Sequence, residues 1–80
     1  MIKSLLSASQ IIDLGFIFSD LENNNDFQAA SIRVNKIANL IDSVAVWHYL
    51  KLTCHLLNKR DIKEQQIGKI SLKLLLNDIK

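Results

Sequence analysis

Between Asp26 and Lys59 the apolar positions recur at helical spacing. Phe27, Ala30, Val34, Ile37, Ile41 and Val44 step 3, 4, 3, 4, 3, the alternation of a coiled-coil seam. Continuing that phase reaches His48 and Lys51, so the seam must shift. It resumes one residue early as Trp47, Leu50, Cys54 and Leu57, a three-residue stammer that turns the buried face near Trp47. Ile32, Leu40, Val46, Leu52 and Leu56 form a second apolar line. It widens the stripe beyond what one partner helix covers. No proline or glycine interrupts the stretch. The pattern therefore predicts one long central helix over residues 26–58, about 50 Å long at 1.5 Å per residue. Its weak point is Asp42-Ser43, a cap-like pair able to split it in two.

A first helix is expected over residues 4–21. Ser4 or Ser7 can cap it, and Ser7 with Gln10 has capping-box spacing. Ile2, Leu5, Leu6, Ala8, Ile12, Phe16 and Ile17 share one broad face, expected to point inward. Ile11, Leu14, Phe18 and Leu21 fall outside that face and so imply a second contact. Gly15 marks either a close helix crossing or a break. Glu22-Asn23-Asn24-Asn25 is the clearest turn, and Asn25 with Gln28 has box spacing for the next helix. So short a connection makes the first two helices antiparallel neighbours.

A second turn falls at Asn58-Lys59-Arg60, with Asp61 and Glu64 spaced as a further box. The last helix, residues 62–79, carries two apolar stripes. One is Ile67, Ile70 and Leu74; the other is Leu72, Leu75, Leu76 and Ile79. One stripe can serve the interior, which leaves the other for a second molecule.

These elements predict an all-α fold: an antiparallel helical hairpin with a long central helix and a third helix folded back, a three-helix bundle that self-associates. The expected interior is Ile37, Ile41, Val44, Leu50 and Leu57, with Ile12 and Phe16. At 80 residues there is room for one domain, 1–80, with a modest core. The absence of proline and the presence of only two glycines argue against strand-rich folds, which need frequent turn residues.

Charge alters the picture little. Residues 1–45 hold three basic against five acidic side chains, and residues 46–80 hold seven against three. The basic half opens an alternative: a small DNA-binding regulator using residues 46–80. Against it, the turn lacks the usual glycine, and Arg60 is the only arginine in that half. The last helix sets lysines among leucines and isoleucines, but its divided stripes do not make a single lipid face. One cysteine excludes an internal disulfide framework and suits a reducing compartment. No uninterrupted apolar run approaches the ~18 residues of a membrane span, and the interrupted first residues make a poor signal peptide. The expected location is cytoplasmic. Abundant Ile, Leu, Lys and Asn suit an AT-rich, bacterial or phage-like coding sequence.

Candidate chemistry is sparse. His48 and His55 stand seven apart, not the three or four of helical metal pairs. Cys54 and His55 are adjacent, so a helix points them about 100° apart. No phosphate loop, nucleophile elbow or Cys-x-x-Cys pair is present. The reading is therefore not an enzyme, with no metal and no cofactor. It is a small protein–protein interaction module of adaptor, regulator, inhibitor or co-chaperone type, with a protein partner, a second copy, or both. Trp47, His48 and Tyr49 are consecutive and must fan around the helix, so at least one leaves the core. The expected partner interface is Ile11, Leu14, Phe18, Trp47, Tyr49, Leu72, Leu75, Leu76 and Ile79.

Overall fold

The computed structural model describes residues 5–79. It contains four α-helices: α1 (Ala8–Asn24), α2 (Phe27–Ala38), α3 (Val44–Leu57) and α4 (Ile62–Ile79). Among the described residues there is no strand. The helices pack in a closed ring, α1 on α2, α2 on α3, α3 on α4 and α4 back on α1.

Local chemistry explains each boundary. Ser7 caps α1 with a complete capping box: its Oγ accepts from Gln10 N–H (3.1 Å) while Gln10 Oε1 accepts from Ser7 N–H (2.9 Å). The helix ends at Asn25, whose φ of 53° is the left-handed conformation that asparagine tolerates. Asn25 thus closes α1 instead of opening α2. The cap of α2 is Asp26, which accepts from Ala29 N–H at 3.1 Å. Before α4, the Asp61 carboxylate accepts from Lys63 N–H at 2.9 Å, and Gln65 Nε2 donates to the Lys59 carbonyl at 2.7 Å. Gly15 sits inside α1, and neither a break nor a close crossing occurs there.

The expected 26–58 helix is two helices. After Ala38 the backbone tightens, with Leu40 N–H bonding the Ile37 carbonyl and Ile41 N–H bonding the Ala38 carbonyl. Ser43 then caps α3, accepting from Val46 N–H at a long 3.4 Å. The break lets α3 fold back on α2, within a molecule measuring 32 × 22 × 19 Å. A continuous rod of about 50 Å could not do so. Two hydrogen bonds tie the pair. Ser31 Oγ donates to the Cys54 carbonyl (3.0 Å, buried), and Lys51 Nζ donates to Asn35 Oδ1 (2.5 Å). The stammer near Trp47 is the change of phase between two separate helices. The three-helix expectation is corrected accordingly to four helices.

The interior is built from Leu14, Ile17 and Leu21 of α1, Ala30, Val34 and Ile37 of α2, Val46, Leu50 and Leu57 of α3, and Leu72, Leu75 and Ile79 of α4. Ile37, Ile41, Leu50 and Leu57 are buried as expected. Val44, Ile12 and Phe16 are not: they are 68%, 56% and 61% exposed. Val44 is the first residue of α3, and its side chain falls outside the 3–4 line of Val46, Leu50, Thr53 and Leu57. On α1 the buried line includes Leu14, Ile17 and Leu21, with Ile11 and Phe18 packed against the core. Ile11, Leu14, Phe18 and Leu21 form a 3, 4, 3 seam that runs the length of the helix, whereas one turn beyond Phe16 its line meets the charge of Asp20. The inward face of α1 is therefore turned from the expected one: Leu6 and Ile17 of that face are buried, but Ile12 and Phe16 point out.

Candidate functional site

Four of the nine expected interface residues, Leu14, Leu72, Leu75 and Ile79, are buried within the chain itself. Ile11, Phe18 and Leu76 are partly buried against the same core. All seven therefore serve the interior of this chain. The remaining two, Trp47 and Tyr49, are exposed at 36% and 37%, but on different sides of α3. Trp47 lies toward α2: its ring stacks edge-on against His48 (4.8 Å between centroids, 75° between planes), with Lys51 Nζ 5.6 Å away. Tyr49 lies toward α4, where its hydroxyl donates to the Ser71 carbonyl at 2.6 Å. Burial raises the Tyr49 phenol above its ordinary pKa.

Among the apolar positions that the structure leaves uncovered is one whole stripe of α4, the one outside the expected interface. Ile67, Ile70 and Leu74 are each more than half exposed. With about 100° between successive residues, all three project opposite the buried line of Gly68, Leu72, Leu75 and Ile79. Tyr49, Leu52 and Leu56 occupy the neighbouring edge of α3 and are exposed or half-buried. Contact between the two helices makes these two rows one surface. Tyr49 reaches Ser71, and a groove beside it is lined by Tyr49, Leu74, Leu75 and Asp78. A second groove, lined by Leu5, Ala45, Val46, Tyr49 and Leu75, also borders the ring.

The closeness of α3 and α4 comes from Gly68. A Cβ built there would lie 3.0 Å from the Leu57 backbone nitrogen and 3.1 Å from the Leu56 Cβ. Gly68 is buried in the helix contact, so the outer rows of α3 and α4 lie close, with Ser71 and Asp78 at the seam beside Tyr49. The spacing of Ile67, Ile70 and Leu74 was visible in the sequence. Which of the two α4 stripes faces out was not, although the position of Gly68 on the Leu72–Leu75 side was a usable signal for close packing.

The exposed parts of Tyr49, Leu52, Ile67, Ile70 and Leu74 amount to apolar surface on the order of 500 Å². That is at the upper end of the largest patch a monomer ordinarily carries, about 300–600 Å², and patches of this size are often functional. A smaller apolar pair, Ile12 and Phe16, stands on the outer face of α1.

Chemically reactive groups do not converge here or elsewhere among the described residues. No group of three or more His, Cys, Asp or Glu side chains is placed to hold a metal. His48 and His55 are both exposed, two turns apart on α3. Cys54 is buried, and burial pushes its thiol up to about 11, which leaves little nucleophilic thiolate at neutral pH. Among the described residues, no helix is long and apolar enough to cross a membrane. Comparison with known protein families, curated proteins and solved structures finds no match to this chain.

Proposed function

We propose that this chain is a small protein-binding module whose working surface is the outer face of the α3–α4 hairpin. The single observation carrying that reading is the apolar surface made by Ile67, Ile70 and Leu74 with Tyr49 and Leu52. Four helices already share one interior, so these side chains have no internal role. Their 3–4 spacing suits the apolar face of a helix laid alongside. Tyr49 suits an anchor: an aromatic ring held by one hydrogen bond and bordered by two grooves. The activity is recognition, not catalysis.

The DNA-binding alternative has less support. Lys51 is held by Asn35 and lies close to Trp47, and Lys69 and Lys73 project from α4 away from the Tyr49 edge. A nucleic-acid binder should bind heparin and lose affinity steeply with salt; this chain is expected to pass through at moderate ionic strength.

The test is a differential capture from lysate of the native host, with immobilised wild-type chain and an Ile70→Glu/Leu74→Glu chain side by side. Both substitutions fall on exposed positions, so the helical circular dichroism should be unchanged. A protein retained by the first and lost by the second, then purified and shown to bind directly, is the expected result. Identical recovery on both surfaces would rule out this face as the binding site.

A further inference from the structure

The outer face of α4 is self-complementary, and from it we propose that two copies of this chain pair antiparallel about a two-fold axis passing between Ile70 and Ser71. The proposal rests on the reading that the α3–α4 face binds protein, and it commits that face to a second copy of the same chain.

Lys63, Ile67, Ile70, Leu74 and Asp78 lie within about 80° of arc on the exposed side of α4. Their order along the helix is symmetric in chemistry and opposite in charge. Ile67 and Leu74 are equally far from the midpoint of residues 70 and 71, and so are Lys63 and Asp78. Antiparallel pairing about that midpoint sets Ile67 against Leu74 of the second copy. It brings the two Ile70 side chains together beside the axis. It also sets Lys63 against Asp78 of the second copy, once at each end. Every apolar residue then meets an apolar one, and each charge meets its opposite. Parallel pairing would instead oppose lysine with lysine and aspartate with aspartate. The charges therefore select one orientation.

Both end groups are free for this role. Lys63 and Asp78 are exposed, and the only ion pair among the described residues is Arg33–Asp20 on the α1–α2 side. Asp78 borders the groove of Tyr49 and Leu74, so the charge flanks the apolar strip directly. Tyr49, Leu52 and Leu56 on α3 lie beside the strip and extend the contact. The same patch is used by both copies, as a two-fold interface requires. With a polar rim, the patch approaches the ~800 Å² per partner of a stable interface. The Ile12–Phe16 pair on α1 has no opposite charges disposed about its centre.

Sedimentation equilibrium on the full chain tests this arrangement. Wild type should be a dimer of the 9.1 kDa chain at high micromolar concentration. Lys63→Asp alone makes both end pairs acidic, and Asp78→Lys alone makes both basic. Each should weaken self-association about tenfold or more at low salt. An equimolar mixture of the two variants should recover it, because a mixed pair has opposite charges at both ends. The Lys63→Asp/Asp78→Lys chain should recover it too. Raising salt to about 1 M should flatten these differences. Ile70→Glu should leave a monomer with unchanged helical circular dichroism.

A wild-type chain that stays monomeric near 1 mM overturns the pairing. A dimer indifferent to Ile70→Glu and to both single charge reversals overturns it as well. The lysate capture is read separately. A monomer that still loses a partner on Ile70→Glu/Leu74→Glu sinks the pairing and keeps the binding module. A charge-sensitive dimer with no such partner keeps the pairing and sinks binding of any other protein.

Discussion

The two glycines occupy α-helices and do opposite things. Nothing lies within 4 Å of a Cβ built at Gly15, so Gly15→Ala only removes the helix penalty of glycine. It is expected to stabilise the fold by up to about 1 kcal/mol in urea denaturation. At Gly68 the added methyl would press on the Leu57 backbone nitrogen at 3.0 Å, and backbone yields less readily than a side-chain tip. Gly68→Ala should cost about 1–3 kcal/mol despite its better helix propensity. If both substitutions shift the urea midpoint upward, the close α3–α4 approach is wrong. Cys54 supplies a pH signature. Its folded-state thiol titrates at about 11, above its ordinary value of 9.0, because burial disfavours the thiolate. A raised pKa on folding favours the folded state fully below about pH 9. That contribution is lost as pH rises toward about 11. Across this window the melting temperature of wild type should fall more than that of Cys54→Ala. Parallel melting curves for the two would show that the thiol is not sheltered.

Individual elements were legible in the sequence where capping chemistry and periodicity agreed. The span of α4 is where the pattern put it, whereas α1 starts at Ala8 behind the Ser7–Gln10 box, later than the expected residue 4, and runs past residue 21 to Asn24. The inward face of α1 is only partly legible because two apolar lines compete on it. Counting residues favoured Ile12 and Phe16, but the seam that continues to the end of the helix is the one that packs. A second signal pointed the same way: Leu6 and Ile11 occupy the staple positions on either side of the Ser7 cap, and both join the core. The choice between the two stripes of α4 is open for the same reason, since periodicity gives spacing without direction. Leu14→Ala should therefore cost about 2–5 kcal/mol, while Phe16→Ala should stay within about 0.5 kcal/mol. The reverse ranking in denaturation would restore the face first expected. Between α2 and α3, neither glycine nor proline announces the break. Polar Asn39, Asp42 and Ser43 end one helix and start another, while Ile41 beside them remains buried.

At the scale of the whole molecule, the break after Ala38 turns one amphipathic stretch into two walls of a closed ring. Each helix packs mainly on two others, and residues of all four meet in one core. Removing any wall would expose buried side chains on both neighbours, so no pair of helices has an interior of its own. An 80-residue chain has little stability to distribute among independent units. The expected consequence is a single cooperative transition. Far-UV circular dichroism follows all four helices, whereas Trp47 fluorescence follows the α2–α3 edge where the ring lies close to His48 and Lys51. At a fixed protein concentration, and with Ile70→Glu present to suppress association, the two signals should give coincident urea midpoints and equal slopes. A Trp47 signal that disappears at lower urea than the helical signal would mean that the α2–α3 edge opens first. The shared core would then be two weaker contacts, and the outer α3–α4 face would stand on a hairpin able to move on its own.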